Sequence, residues 1–310
     1  MPLPFNIAPV RVGRPAARSD DEALLLAAIA TAFILCLSPL CAAPRGHWAR
    51  GVGLACACAI ALALGGVATW AGWTLSGDSH ALLVLGSRFV HDTPGAPEGA
   101  MIFMPPDARF PCAAALRGGV DAIAREAEAA MAAPAFSHVD PHQTGISGGK
   151  GTWRVLVLRL LDVDHAGNAG LMPRTMALLR RCAGVRDAMV SVMEPGVALW
   201  KHHGYSKCIL RYQLGLVVHD EHAVLSLFPD GGAPLNHTWA NGTDLLWDDT
   251  VLHAAGNAGP RARMLLFLDV ERRGPEMGLV ARAVEAASVL LTRWTPAFWS
   301  SMERAAVGIA

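Results

Sequence analysis

The sequence predicts a mainly β domain with flanking helices, set behind a pair of membrane-spanning helices. Three observations carry that reading. Short apolar or β-branched runs crowd the second half of the chain: "AMVSVM", "CILRYQLGLVV", "AVLSLF", "DLLW" and "RMLLFLDV". They are broken by Gly, Pro, Asn and Asp clusters, the spacing of an all-β sandwich or barrel. Two stretches near the N-terminus, residues 23–43 and 51–75, contain no charge and reach the roughly 20 apolar residues that span a bilayer core. The composition agrees: 53% of the 310 residues are hydrophobic and only 17% charged.

In chain order, residues 1–21 form an N-terminal tail on the cytoplasmic side and residues 22–76 a helical hairpin closed by "PRGHWAR". Gly, Ala and Cys in the second span allow close helix packing. Arg11, Arg14 and Arg18 precede the hairpin and Arg88, Arg109 and Arg117 follow it, against Arg45 and Arg50 in its loop. That bias puts both ends of the hairpin, and the domain beyond it, in the cytoplasm. A cleaved signal peptide with one anchor is the competing reading, but the first apolar run is long for one. Residues 77–148 read as a linker and helical lead-in, with a helix over 119–133 rich in Ala and Glu and a loop at "HQTGISGGKG". The β domain is expected at 149–273. It opens with a strand over 152–162 and holds one helix, 173–185, with Pro at its start and Gly near its end. Residues 274–310 form an amphipathic C-terminal helix, either lying on the membrane or packed on its own domain. Its polar stripe is Arg282, Glu285, Ser288 and Thr292.

Lys+Arg and Asp+Glu are both 26, so there is no basic excess of the kind a nucleic-acid binder shows. The seven cysteines include no CxxC motif, and Cys112, Cys182 and Cys208 are scattered. The expectation is reduced thiols and no disulfide framework.

The residues suited to chemistry cluster late. His202 follows the turn Glu194-Pro195-Gly196, and His253 stands at the end of "LLWDDTVLH". Strand ends of a small barrel converge on its mouth, where two imidazoles can hold a divalent metal with open positions. Arg263 starts an apolar strand and Arg211 lies inside one. A guanidinium in such a place snorkels to solvent or meets an anion, and a carboxylate fits it bidentately.

Taken in series, "SVMEPGVALWKHHGYSKCILRYQLGLVV", "LLWDDTVLHAAGN" and "RARMLLFLDVERR" resemble the aspartyl/asparaginyl β-hydroxylase family, and "LMPRTMALLRRCAGV" resembles a helix of that family. The match covers roughly residues 150 to 272. It implies a double-stranded β-helix, or jelly roll, and a dioxygenase that uses Fe(II), 2-oxoglutarate and O2. The superfamily also includes membrane-bound hydroxylases of lipid A acyl chains. The resemblance makes His202 and His253 the metal ligands and Arg263 the partner of the distal carboxylate of 2-oxoglutarate. Ser191, Arg211 and Gln213 fall at further co-substrate positions; Gln213 stands where asparaginyl-type members have histidine. Trp200 matches a tryptophan near the first ligand, and Asp248-Asp249 a family acidic pair. Position 204, two after His202, is glycine, as in the two-histidine branch, where other enzymes of this chemistry carry an acidic ligand. His203, adjacent on a strand, points to the opposite face. The implied substrate is a peptidyl Asp/Asn or the acyl chain of a bilayer lipid. A degenerate, non-catalytic binding module and a halogenase-like variant are the alternatives.

Overall fold

The computed structural model describes residues 103–131, 137–138, 147–149, 152–204, 206–229 and 233–273, together with residues 285, 286, 289, 290, 292, 293, 298, 299, 302 and 303 of a helical C-terminal segment. The two charge-free stretches lie outside the described residues. Among the described residues no helix is long and apolar enough to cross a membrane.

The chain enters through β1 (Phe103–Met104), then α1 (Pro106–Arg109), α2 (Ala113–Gly118) and α3 (Val120–Met131). Residues 103–118, expected to be linker, are therefore built into the domain. Short strands β2 (Ser137–His138) and β3 (Ser147–Gly149) precede the long β4 (Trp153–Leu160), β5 (Val163–Asp164) and helices α4 (Ala166–Leu171) and α5 (Pro173–Arg181). Strands β6 (Val185–Met193), β7 (Val197–His202), β8 (Ile209–Val217), β9 (Ala223–Leu227), β10 (Leu235–Thr238), β11 (Asp244–Trp247), β12 (His253–Asn257) and β13 (Arg263–Glu271) complete the fold.

Those last strands alternate between two antiparallel sheets. The larger runs β1-β11-β8-β13-β6-β4-β2 and the smaller β10-β9-β12-β7-β3. Consecutive strands β6 to β13 thus lie as β11-β8-β13-β6 facing β10-β9-β12-β7, which is the jelly-roll order. Period-2 alternation assigns the faces. Along β13, Met264, Leu266, Leu268 and Val270 point outward into a core shared with the helices. Arg263, Leu265, Phe267 and Asp269 take the inner face. Helix α3 presents Ile123, Ala127 and Ala130 to that outer core, and α5 presents Met176 and Leu179. Between the sheets lie Leu225, Leu227, Trp239, Leu245, Trp247 and Leu265.

One expectation is corrected, and one choice left open is narrowed. Cys112 and Cys182 are joined by a disulfide, with Cα atoms 5.6 Å apart at a sequence separation of 70. The pair is brought together by tertiary packing, from the start of α2 to the end of α5, so no local spacing announced it. Of the polar stripe of the C-terminal segment, the two described residues do not face solvent. Glu285 and Thr292 are buried, while Leu290 is 54% exposed. Glu285 turns inward because the buried Arg186 guanidinium needs carboxylates: it meets Glu271 at 3.0 Å and Glu285 at 3.5 Å. Val289, Phe298 and Met302 pack on Leu161. The described residues of this segment therefore lie against the domain, the second of the two expected placements.

Candidate metal and co-substrate site

His202 closes β7 and His253 opens β12, and the two are direct cross-strand partners. The sequence reading had placed a strand after His202 and before His253; the order is the reverse at both. Their rings lie 4.0 Å apart between centroids. His202 Nδ1 sits 2.7 Å from the carbonyl of Trp200, and His253 Nδ1 2.8 Å from that of Val251. A carbonyl only accepts, so both Nδ1 atoms carry the proton and both Nε2 lone pairs remain for a ligand. Burial depresses the pKa of His202 and holds that of His253 well below its usual value. Both imidazoles are thus neutral at neutral pH, the form that binds a metal. The indole of Trp247 stands edge-on to His253 at 4.7 Å.

Among the described residues no group of three His, Cys, Asp or Glu side chains is placed to hold a metal. The reason is visible at Gly204. A Cβ built there would lie 1.6 Å from Oδ1 of Asp249. The Asp249 carboxylate fills the space an acidic side chain at 204 would need, and it is held by an ion pair with Arg211. The backbone fixes the same contact, Gly204 N donating to Asp249 O at 2.7 Å. Asp248 is turned away, bonded to Thr250 and to Arg272 at 2.5 Å. His203 is exposed, its Nδ1 donating to the Thr250 carbonyl at 2.8 Å.

The four residues assigned to the co-substrate share the inner face of the larger sheet. Register places Ser191 opposite Leu265, Gln213 opposite Phe267 and Arg211 opposite Asp269, with Arg263 in the same alternating set on β13. Ser191 Oγ accepts from Trp153 Nε1 at 3.0 Å. Gln213 Oε1 accepts from Trp247 Nε1 at 3.3 Å, which leaves its NH2 as donor. Arg211 is committed: besides Asp249 it pairs with Asp269 at 3.0 Å and lies over the Phe267 ring at 4.1 Å. The sequence reading missed Asp269, which sits in an apolar strand and is recognisable only once the register sets it opposite Arg211.

Arg263 differs from every other arginine of this wall. It is 4% exposed, its Nε and Nη1 have no hydrogen-bond partner, and Nη2 reaches only Met193 Sδ at 2.8 Å. Desolvation pulls its pKa down to about 9. A buried, unmatched guanidinium is a ready site for an anion.

Fold and site together define a jelly-roll protein with a two-histidine candidate metal centre and a buried arginine whose Nε and Nη1 are unmatched. Comparison with known proteins is specific: the model of the aspartyl/asparaginyl β-hydroxylase family matches residues 119–273, and the chain belongs to that family. An ornithine lipid ester-linked acyl 2-hydroxylase of Rhizobium tropici is 30% identical over 193 residues, 61% of this chain and 66% of that protein. The aspartyl/asparaginyl β-hydroxylase of Mus musculus is 29% identical over 126 residues, 39% of this chain and 16% of that protein. The chain therefore matches about two thirds of the first relative's length and under a fifth of the second's. A Trichoplax adhaerens prolyl hydroxylase structure aligns over 69% of this chain and 95% of that one, at 13% identity and a TM-score of 0.37.

Proposed function

We propose that the protein is a membrane-anchored hydroxylase dependent on Fe(II), 2-oxoglutarate and O2, acting on a C–H bond of a bilayer lipid acyl chain. The observation that carries the reading is the pair His202 and His253, in direct register, each with Nδ1 tied to a carbonyl and Nε2 available. These two residues would hold the metal. The oxidation itself is chemistry that Fe(II), 2-oxoglutarate and dioxygen supply, yielding succinate, carbon dioxide and an alcohol. The protein contributes binding and orientation. Arg263 offers unmatched donors to the distal carboxylate of 2-oxoglutarate. Ser191 and the NH2 of Gln213 lie on the same wall, and Arg211, paired with Asp249 and Asp269, holds its place on that wall beside them. The buried indole of Trp247, edge-on to His253, shields one side of the pair from water.

Lipid is preferred to protein as substrate because the acyl hydroxylase relative matches 61% of the chain, against 39% for the peptidyl hydroxylase. A peptidyl Asp or Asn is the second reading. The charge-free stretches 23–43 and 51–75 support anchoring in the bilayer with a cytoplasmic catalytic domain. A halogenase-like variant is disfavoured by the Asp249 carboxylate at Gly204, which would repel chloride. A degenerate binding module is disfavoured by the intact pair of histidines and by Arg263.

The test is anaerobic Fe(II) binding and 2-oxoglutarate turnover by the full chain. One Fe(II) per chain is expected, lost in His253→Ala together with turnover. Unchanged iron binding in that variant would remove His253 from the site.

A further inference from the structure

The two sheets meet at an edge where β1 and β10 are the outermost strands, and the register there links the protein surface to the metal ligands. Across the smaller sheet, Leu235 pairs with Leu227, Leu227 with His253, and His253 with His202. Cross-strand partners share a face, so Leu235 projects on the side that carries both imidazoles. Two strand spacings separate it from His253, roughly 10 Å. Across the larger sheet, Phe103 pairs with Trp247, the residue whose indole meets His253 at 4.7 Å. The two edges converge: the rings of Phe103 and His237 are 6.4 Å apart, and His237 meets Trp239 at 4.5 Å. Phe103 is 39% exposed and Leu235 41%.

From this geometry we infer that Phe103, Leu235 and His237 form the lip over which the acyl chain of a bilayer lipid reaches the histidine pair. The inference rests on the proposed function and adds the surface through which its substrate enters. Two observations choose this occupant. The three residues of the lip offer aliphatic and aromatic surface and one imidazole, which suits an acyl chain better than the carboxylate of a peptidyl aspartate. The strand is amphipathic across the edge: Leu235 and His237 face the site, while Asn236 faces away, accepting from Ser226 Oγ at 2.7 Å. Asp244, the nearest carboxylate on β11, is also turned outward, to Arg117 at 2.5 Å and Tyr212 at 3.0 Å.

The experiment uses the full chain in vesicles of phosphatidylethanolamine and phosphatidylglycerol. A photo-reactive benzoylphenylalanine replaces Leu235 or Phe103 in one arm and the exposed Glu221 in another. Lipid adducts are expected at 235 and 103 well above those at 221; equal adducts at all three sites overturn the lip. In the second arm, Leu235→Asp and Leu235→Met are compared with wild type. Leu235→Asp is expected to bind Fe(II) and 2-oxoglutarate as wild type does, yet lose lipid hydroxylation about tenfold or more, as a charge buried against an apolar chain requires. Leu235→Met should retain it. If wild type binds neither Fe(II) nor 2-oxoglutarate, the proposed function fails. If wild type turns over 2-oxoglutarate and Leu235→Asp hydroxylates lipid equally well, only the lip fails.

Discussion

Arg263 costs the protein stability. A buried guanidinium with two unmatched nitrogens has left water without compensation from the chain. Arg263→Met keeps the volume and removes the charge. Thermal unfolding of the apoprotein should show it more stable than wild type, by about 1–3 kcal/mol. The added stability that 2-oxoglutarate confers on wild type should vanish. A variant that is less stable as apoprotein and still stabilised by 2-oxoglutarate would show that Arg263 serves packing alone. Gly204 makes the complementary case. Its Cβ position is taken by Asp249, so Gly204→Asp should not build a three-ligand site. It should displace Asp249 from Arg211, weaken Fe(II) binding and lower the unfolding temperature; tighter Fe(II) binding would sink this account. Family likeness alone made Gly204 legible as a missing ligand. That Asp249 stands in its space was not legible, because the two are 45 positions apart and meet only when β7 and β12 pair.

Elements were legible where a single period persisted. Helices α3 and α5 and strands β4, β8, β9 and β11 fall within the segments read from apolar pattern and punctuation, and β6 and β13 overlap theirs, β6 starting three residues earlier and β13 ending one later. Strands β7, β10 and β12 were missed. They are short, and their sequences, "VALWKH", "LNHT" and "HAAGN", alternate too weakly to show a face. All three belong to the smaller sheet, and two of them carry the proposed metal ligands, His202 and His253. The helix pair α3–α5 also holds a contact that no local motif signals. Glu126 of α3 accepts from the backbone N–H groups of Arg174 and Thr175, both at 2.8 Å, and from Thr175 Oγ1 at 2.7 Å. Helix α5 begins with Pro173 and has no side-chain cap of its own, so a carboxylate from another helix supplies the N-terminal acceptor. Glu126→Ala should cost about 1–2 kcal/mol in urea unfolding. Glu126→Gln should recover part of that through its remaining acceptor. A loss below measurement in Glu126→Ala would mean water replaces the cap.

On the scale of the whole molecule, the Cys112–Cys182 disulfide and the arginine bias point to opposite compartments. Disulfides persist in oxidising spaces, whereas Arg11, Arg14 and Arg18 favour a cytoplasmic domain. The demand for Fe(II) and 2-oxoglutarate agrees with the cytoplasm. Leu116 beside Cys112 on α2 and Met176 and Leu179 before Cys182 on α5 share one apolar core, which supplies contacts between these segments besides the bond. In cells, Cys112 and Cys182 are therefore expected as thiols that oxidise readily once the protein is purified in air. Closing a 70-residue loop should then add on the order of 4 kcal/mol or less by the chain-entropy estimate. Cys208 is a buried thiol whose pKa burial raises to about 12, so it should stay unreactive in the folded protein under both conditions. Rapid acid quenching of growing cells, alkylation under denaturing conditions and peptide mass analysis read the pair directly. A cysteine introduced near Gly46, probed with an impermeant reagent on intact cells, reads the hairpin loop independently. Free thiols at 112 and 182 with an outside-accessible loop establish the cytoplasmic orientation. A pair fully oxidised at quench, with a loop closed to the reagent, would place the hydroxylase domain on the oxidising side of the membrane and reverse the topology.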